Sequence, residues 1–248
     1  MKAIITDLDR TLLRSDKTVS EYTCTVLKKC RERGIPLMAA TARPERAILA
    51  YRDQIGFDAV TTLNGARIIL SHNTMENSIM PSDAEKILQK VIVIPGLVLS
   101  LETGEGIFSN EPIPEWNAAV FTGFPALPTE STIYKLLLSC KENDIRKEVE
   151  KALTADTYMT VAEGRLIQIM STASTKWNGI RIMLEDAGIG PEDAVYFGDD
   201  NDDTEPIRNC GVGVAVSNAI NEVLDAADFI TESNDMDGVA RYIERHIL

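Results

Sequence analysis

Soft metal ligands are scarce in this chain of 248 residues: two histidines, His72 and His246, and four cysteines, Cys24, Cys30, Cys140 and Cys210. None of the cysteines forms a C-x-x-C pair or lies near a histidine cluster, which argues against zinc and against a disulfide framework and suits reduced thiols in a cytosol. Cations are also few, 25 Lys and Arg against 38 Asp and Glu, for a formal net charge of -13. No run is rich in Lys or Arg, so a nucleic-acid partner is excluded by the lack of a basic patch. An anionic small molecule stays possible if a metal and a few local cations screen it. No apolar stretch reaches the length of a membrane span, and the chain opens on strand-like residues instead of a basic segment followed by an apolar one. The expectation is a cytoplasmic protein with no membrane partner. Long internal repeats and low-complexity tracts are absent. With 44% hydrophobic and 25% charged residues, the composition suits one large domain or two modest ones.

What is present begins at Ala3-Ile4-Ile5-Thr6-Asp7-Leu8-Asp9-Arg10-Thr11, an apolar run that ends in two carboxylates spaced one residue apart. On an extended strand residues i and i+2 share a face, so Asp7 and Asp9 are expected side by side where the first strand stops. Such a pair must keep a proton or share a cation, and a hard ion such as Mg2+ suits it. Taken alone, the same residues also read as a solvated turn acid and a helix cap.

Downstream, Ser20 is expected to cap a helix ending near residue 33, with Val26, Leu27 and Cys30 on one face and Gly34 as its stop. An apolar strand over residues 35–40 ends in Thr41-Ala42-Arg43, and Pro44 opens a helix to about residue 54. A third strand, 59–63, runs into Asn64-Gly65, a turn that presents backbone amides or begins a hairpin. Strand, helix, strand, helix, with polar residues at the carboxyl ends, is the doubly wound arrangement, whose ligands bind beyond those ends. From about residue 81 the character changes. A helix at 82–91, strands over 91–101, 107–108 and 133–139, a helix carrying Ile145, Val149 and Leu153, and strands near 157–161 and 165–170 suggest an inserted α+β unit. Lys176 then opens a helix, a strand at 194–197 ends in Gly198-Asp199-Asp200-Asn201-Asp202-Asp203, and a last cycle places strands at 212–216 and 228–231 and helices at 221–227 and 238–246.

Asp7 and Asp9, Thr41, Lys176 and the acids from 199 to 203 thus fall at the ends or starts of βα units. Each alone has an ordinary reading: a β-branched strand residue, a solvated helix lysine, a charged loop. Together they suit phosphoryl transfer, where an enzyme mostly positions groups and stabilises charge. One carboxylate attacks phosphorus, a second carries protons to the leaving alkoxide and from water, a lysine and a metal neutralise phosphoryl oxygens, and a hydroxyl adds a hydrogen bond.

On these motifs, Asp7-Leu-Asp-Arg-Thr11, Thr41-Ala42-Arg43, Lys176 and the Gly198 to Asp203 run, with Asn64-Gly65, Ser217-Asn218-Ala219 and residues 235–239, the chain resembles the haloacid dehalogenase superfamily. It is most similar to its Cof-type phosphatase branch, which carries a large α/β cap of type IIB. The resemblance implies a Rossmann-like doubly wound parallel sheet, formed by residues 1–81 and 173–248, with an inserted cap over 82–172 that covers the site and selects the leaving group. It also implies an Mg2+-dependent phosphatase acting on phosphate monoesters of small metabolites, sugar phosphates among them, through an aspartyl-phosphate. Asp7 would be the nucleophile and Asp9 the acid/base, with Thr41 and Lys176 completing the catalytic set. Mg2+ would be held by Asp7, the backbone carbonyl of Asp9, Asp199 and Asp203. Thr41, Ala42, Arg43, Asn64, Gly65, Lys176 and Asp202 would meet the substrate. Within the cap, Glu102, Glu105, Trp116 and Arg165 are candidate contacts, Trp116 suiting packing better than recognition.

The sequence departs from the family pattern at three places. Arg10 and Ala42 stand where glycine is common, and Asp202 stands where an asparagine is usual. An acid aimed at the phosphate would repel it, so Asp202 is expected to turn toward Lys176 or the metal's water shell, or to cap the helix near Pro206. Competing readings are a phosphomutase or phosphotransferase of the same superfamily, and a receiver-type phosphoryl-accepting domain. The latter uses similar groups in about half this length and without an insertion.

Overall fold

The computed structural model describes residues 1–114, 118–121, 131–140, 144–162 and 166–248. The chain folds as two compact units, one of residues 1–76 and 175–248, the other of residues 77–174. Along the chain the first unit begins with β1 (Ala3–Thr6), α1 (Glu21–Glu32), β2 (Leu37–Ala40), α2 (Leu49–Ile55), β3 (Ala59–Thr62), β4 (Arg67–Ile69) and β5 (Thr74–Glu76). The second unit holds α3 (Pro81–Val91), β6 (Leu97–Thr103), β7 (Ile107–Ser109), β8 (Ala119–Val120), β9 (Ile133–Cys140), α4 (Arg146–Glu150), β10 (Thr157–Ala162) and β11 (Leu166–Ser171). The chain then returns through α5 (Lys176–Asp186), β12 (Ala194–Gly198), α6 (Thr204–Asn209), β13 (Val212–Val216), α7 (Asn221–Ala226), β14 (Phe229–Thr231) and α8 (Gly238–His246).

The first unit is a doubly wound sheet of order β14-β13-β12-β1-β2-β3-β4-β5, parallel from β14 to β3 and antiparallel from there to β5. Its strands are apolar on both faces because helices cover both. Ile4 joins Val26, Leu27 and Ile243 on one side, and Ile5, its neighbour, joins Ile180 and Met183 on the other. From β1 the chain winds outward through β2 and β3 and later through β12, β13 and β14 on the opposite side. The order therefore reverses between β1 and β12, and the crevice beyond their carboxyl ends is where such sheets bind ligands.

The second unit is a six-stranded sheet of order β10-β11-β9-β6-β7-β8. Ile87, Leu88 and Val91 of α3 and Val149 of α4 pack on Leu99, Leu101, Leu136, Leu138, Ile167 and Ile169.

Several expected elements shift. The helix after Pro44 is interrupted: a single 3-10 turn, Glu45–Ala47, precedes α2, and Ile48 between them sits at φ -117°. The strand expected from residue 91 starts at Leu97, because Pro95-Gly96 makes a turn with Gly96 at φ 71°. The helix at 145 is short, leaving Leu153 beyond it. The β4–β5 hairpin lacked a sequence signal, since its strands are only three residues long and Thr74-Met75-Glu76 lie on the exposed side with no apolar alternation. Among the described residues, no helix is long and apolar enough to cross a membrane.

Candidate active site

Asp7 lies immediately beyond β1, its backbone N–H bonded to the Phe197 carbonyl of β12 at 2.9 Å, and it is 5% exposed. The expected side-by-side placement of Asp7 and Asp9 does not occur. The strand stops at Thr6, and residues Leu8–Leu12 coil tightly with Arg10 at φ 58°. That turn carries the Asp9 carboxylate to Arg43, whose Nε and Nη2 reach its two oxygens at 2.5 and 2.7 Å, and to Lys17 Nζ at 2.7 Å. Each acid thus has its own counter-charges. Burial alone would raise Asp9, but the hydrogen bonds from Arg43 and Lys17 outweigh it and bring it down to about 2.

Lys176, first residue of α5, is 3% exposed and gathers the other acids. Its Nζ lies 2.9 Å from Asp7 Oδ1, 2.6 Å from Asp203 Oδ1 and 3.2 Å from Asp202 Oδ1. Burial would strip its proton, yet Asp202, Asp203 and Asp7 more than compensate and hold it well above the ordinary lysine value. Burial pushes Asp7 well above the usual carboxylate range, opposed by Lys176 and reinforced by Asp203 and Asp202.

Asp203 is fully buried and saturated. Oδ1 also accepts from the Tyr196 hydroxyl at 2.6 Å, and Oδ2 from the backbone N–H groups of Asp199 and Asp200 at 2.8 and 3.0 Å. Tyr196 went unremarked in the sequence. Its signal was a lone hydroxyl inside an otherwise apolar strand, which must find a partner when buried. Asp199, 2% exposed, accepts from Thr11 Oγ1 at 2.8 Å and has Arg10 Nε at 3.6 Å. Burial lifts it to about 6. Of the placements expected for Asp202, the structure has the one beside Lys176; the capping box after β12 belongs to Asp200 and Asp203.

Thr41 is buried at the carboxyl end of β2, its Oγ1 accepting from the Arg43 N–H at 3.2 Å. Ala42 is exposed, and Arg43 is turned to Asp9 and over the Tyr51 ring. Asn64 and Gly65 follow β3 in a tight loop at φ 56° and 94°. In the second unit Glu102 is 4% exposed in β6 opposite Lys135 of β9, and Glu105 is exposed. Trp116 and Arg165 lie outside the described residues.

Asp7, Asp199 and Asp203 each offer one carboxylate oxygen, all within 4.8 Å of one another. If all four ionised, Asp7, Asp199, Asp202 and Asp203 would set four negative charges against Lys176 and Arg10, an excess of two; without a further cation beside them, burial instead raises Asp7, Asp199 and Asp202. A divalent cation matches that deficit, and all-oxygen donors suit a hard one. The Asp9 side chain stays out of this cluster.

A family model described as haloacid dehalogenase-like hydrolase matches residues 4–243. A putative phosphatase of Haemophilus influenzae is 26% identical over 254 residues, covering 98% of this chain and 97% of its own. The 5-amino-6-(5-phospho-D-ribitylamino)uracil phosphatase YitU of Bacillus subtilis is 26% identical over 265 residues, covering 98% and 96%. Among solved structures, the subclass IIB sugar phosphatase BT4131 superposes with a TM-score of 0.83 at 20% identity, covering 99% of this chain and 98% of that one.

Proposed function

The chain belongs to the haloacid dehalogenase-like hydrolase family and is a phosphatase of small phosphorylated metabolites, and from that premise we propose that it hydrolyses phosphate monoesters through an aspartyl-phosphate on Asp7, with Mg2+ as its metal. The observation that carries this reading is the meeting of Asp7, Asp199, Asp203 and Lys176 at the reversal point between β1 and β12. Asp7 attacks phosphorus, and the bond from phosphorus to the leaving oxygen breaks. Asp9 gives that oxygen a proton and later takes one from the water that cleaves the aspartyl-phosphate. Held at about 2 by Arg43 and Lys17, Asp9 stands ionised at neutral pH, so its donor role requires those contacts to loosen when substrate enters.

Lys176 neutralises phosphoryl oxygens, and the Thr41 hydroxyl adds a hydrogen bond. Asp203, bonded by four donors, orients Lys176, and it offers an oxygen to the metal only by giving up one of those bonds. Asp7, the Asp9 carbonyl, Asp199 and Asp203 would hold Mg2+, which when bound would supply Lewis-acid neutralisation of the phosphoryl group. The unit of residues 77–174 chooses the leaving group, and sugar phosphates are the class we assign, in keeping with the fold shared with a sugar phosphatase.

The test is release of phosphate from a panel of phosphorylated metabolites with Mg2+ and with a chelator. Turnover that chelation abolishes and Mg2+ restores is expected. Turnover indifferent to chelation would contradict the metal assignment, and no turnover on any ester would contradict the activity.

A further inference from the structure

The turn that follows Asp7 brings a second cation to the acid cluster. Arg10 stands at φ 58°, in the left-handed region that glycine enters freely and other residues enter at a cost. Asn218 holds it there. Asn218 Nδ2 donates to the Arg10 carbonyl at 2.8 Å, and Arg10 Nη2 donates to the Asn218 carbonyl at 3.1 Å. Asn218 is itself fixed, its Oδ1 accepting from the Asn234 N–H at 2.9 Å while Asn234 Nδ2 donates to the Leu13 carbonyl at 2.9 Å. Asn218, to which the phosphoryl chemistry gives no part, thus braces the guanidinium. A glycine at position 10 would make the same turn at lower cost, so the turn alone does not account for arginine.

What the arginine faces is Asp199. Its Nε lies 3.6 Å from Asp199 Oδ2, while the other oxygen of that carboxylate accepts from Thr11 Oγ1 at 2.8 Å. A separation of 3.6 Å is beyond a good hydrogen bond, so the pair acts through charge. Between two exposed groups such a charge would count for little, but the Asp199 side chain is only 3% exposed, and burial weakens the screening. The Arg10 side chain is 57% exposed, whereas Lys176 is enclosed among Asp7, Asp202 and Asp203. Without Arg10, four ionised acids would face Lys176 alone, an excess of three charges instead of two. Asp199 is also one of the three acids whose oxygens gather within 4.8 Å, so a metal held there shares Asp199 with the guanidinium, and the two cations repel.

We propose that Arg10 is a positioning residue of the metal site that competes with Mg2+ for Asp199 and so raises the Mg2+ concentration at which the site loads. This rests on the reading above in which Asp199 is a metal ligand. A brace and a competitor predict opposite signs. Were Arg10 only a brace for the turn, replacing it would loosen the ligands and weaken Mg2+ binding. As a competitor, it strengthens binding when replaced.

The experiment is calorimetric titration of the purified protein with Mg2+ at pH 7.5 and fixed ionic strength, with no ester present. Arg10→Gly suits the backbone angle, and Arg10→Gln keeps much of the side chain without its charge. Both are expected to bind Mg2+ at least about fivefold more tightly than wild type, while Arg10→Lys, which keeps the charge, stays within about twofold. Unchanged or weaker affinity in Arg10→Gly would overturn the proposal. So would equal tightening in Arg10→Lys, because the charge would then not be the cause. A wild-type protein that binds no Mg2+ would overturn the metal reading itself and this inference with it.

Discussion

At the scale of single residues, one buried ammonium decides whether three neighbouring acids can coexist. Lys176 touches Asp7, Asp202 and Asp203, and without it their charges lose their nearest compensation. Lys176→Met is expected to destabilise the metal-free protein by about 3–5 kcal/mol, as breaking a buried ion pair does, and to remove turnover. Denaturant unfolding alongside a phosphate-release assay checks both; a change within about 0.5 kcal/mol with rate intact would return Lys176 to the status of an ordinary helix residue. Asp199 supplies a pH test. Its folded value of about 6 lies above the ordinary 3.8, so the folded protein holds a proton that the unfolded chain releases. Metal-free stability contributed by this group therefore falls as pH rises from about 4 through 6, then levels off. A cation needs the ionised form, so Mg2+ affinity should rise over the same window and be at least about tenfold weaker at pH 5 than at pH 7.5 by calorimetry. A flat affinity would contradict the ligand assignment. The acids and Lys176 were legible as sequence because they end or open βα units. The Asp9–Arg43 pair was not, since it depends on a left-handed Arg10 that no propensity announces.

At the scale of elements, the site depends on how closely loops approach one another. Gly65 meets the Thr175 carbonyl, and Thr175 caps the helix that Lys176 begins. Gly65→Ala therefore combines a disfavoured φ of 94° with a collision against backbone. The expected result is a loss of roughly 2 kcal/mol or more in stability, together with a drop in kcat from the displaced Lys176, read by melting and steady-state kinetics. Unchanged kinetics would show that the α5 terminus absorbs the strain. Helices with clear caps and apolar faces were readable from the sequence: Ser20 accepts from the Thr23 N–H as expected, and Gly238–His246 forms α8. Where the reading failed, local geometry overrode periodicity, as at Ile48 between the 3-10 turn and α2. The three-residue strands β4 and β5 are too short for any period to show.

At the scale of the whole molecule, topology explains why residues separated by 169 positions in sequence, Asp7 and Lys176, share a hydrogen bond. The sheet winds away from β1 on both sides, which leaves a crevice at β1 and β12, and the acids of the cluster lie there, Asp7 and Asp199 directly after those strands and Asp203 in the 3-10 turn that follows β12. The alternation of apolar runs and polar strand ends made this arrangement readable in advance. The pairing within the cluster was not, because it is set by side-chain packing and not by order along the chain. Acid quenching of the turning-over enzyme followed by mass spectrometry of its peptides tests whether Asp7 is the nucleophile. One added phosphoryl group is expected on the peptide containing Asp7, absent in Asp7→Asn together with all turnover; a phosphorylated residue elsewhere, or turnover surviving in Asp7→Asn, would rule Asp7 out.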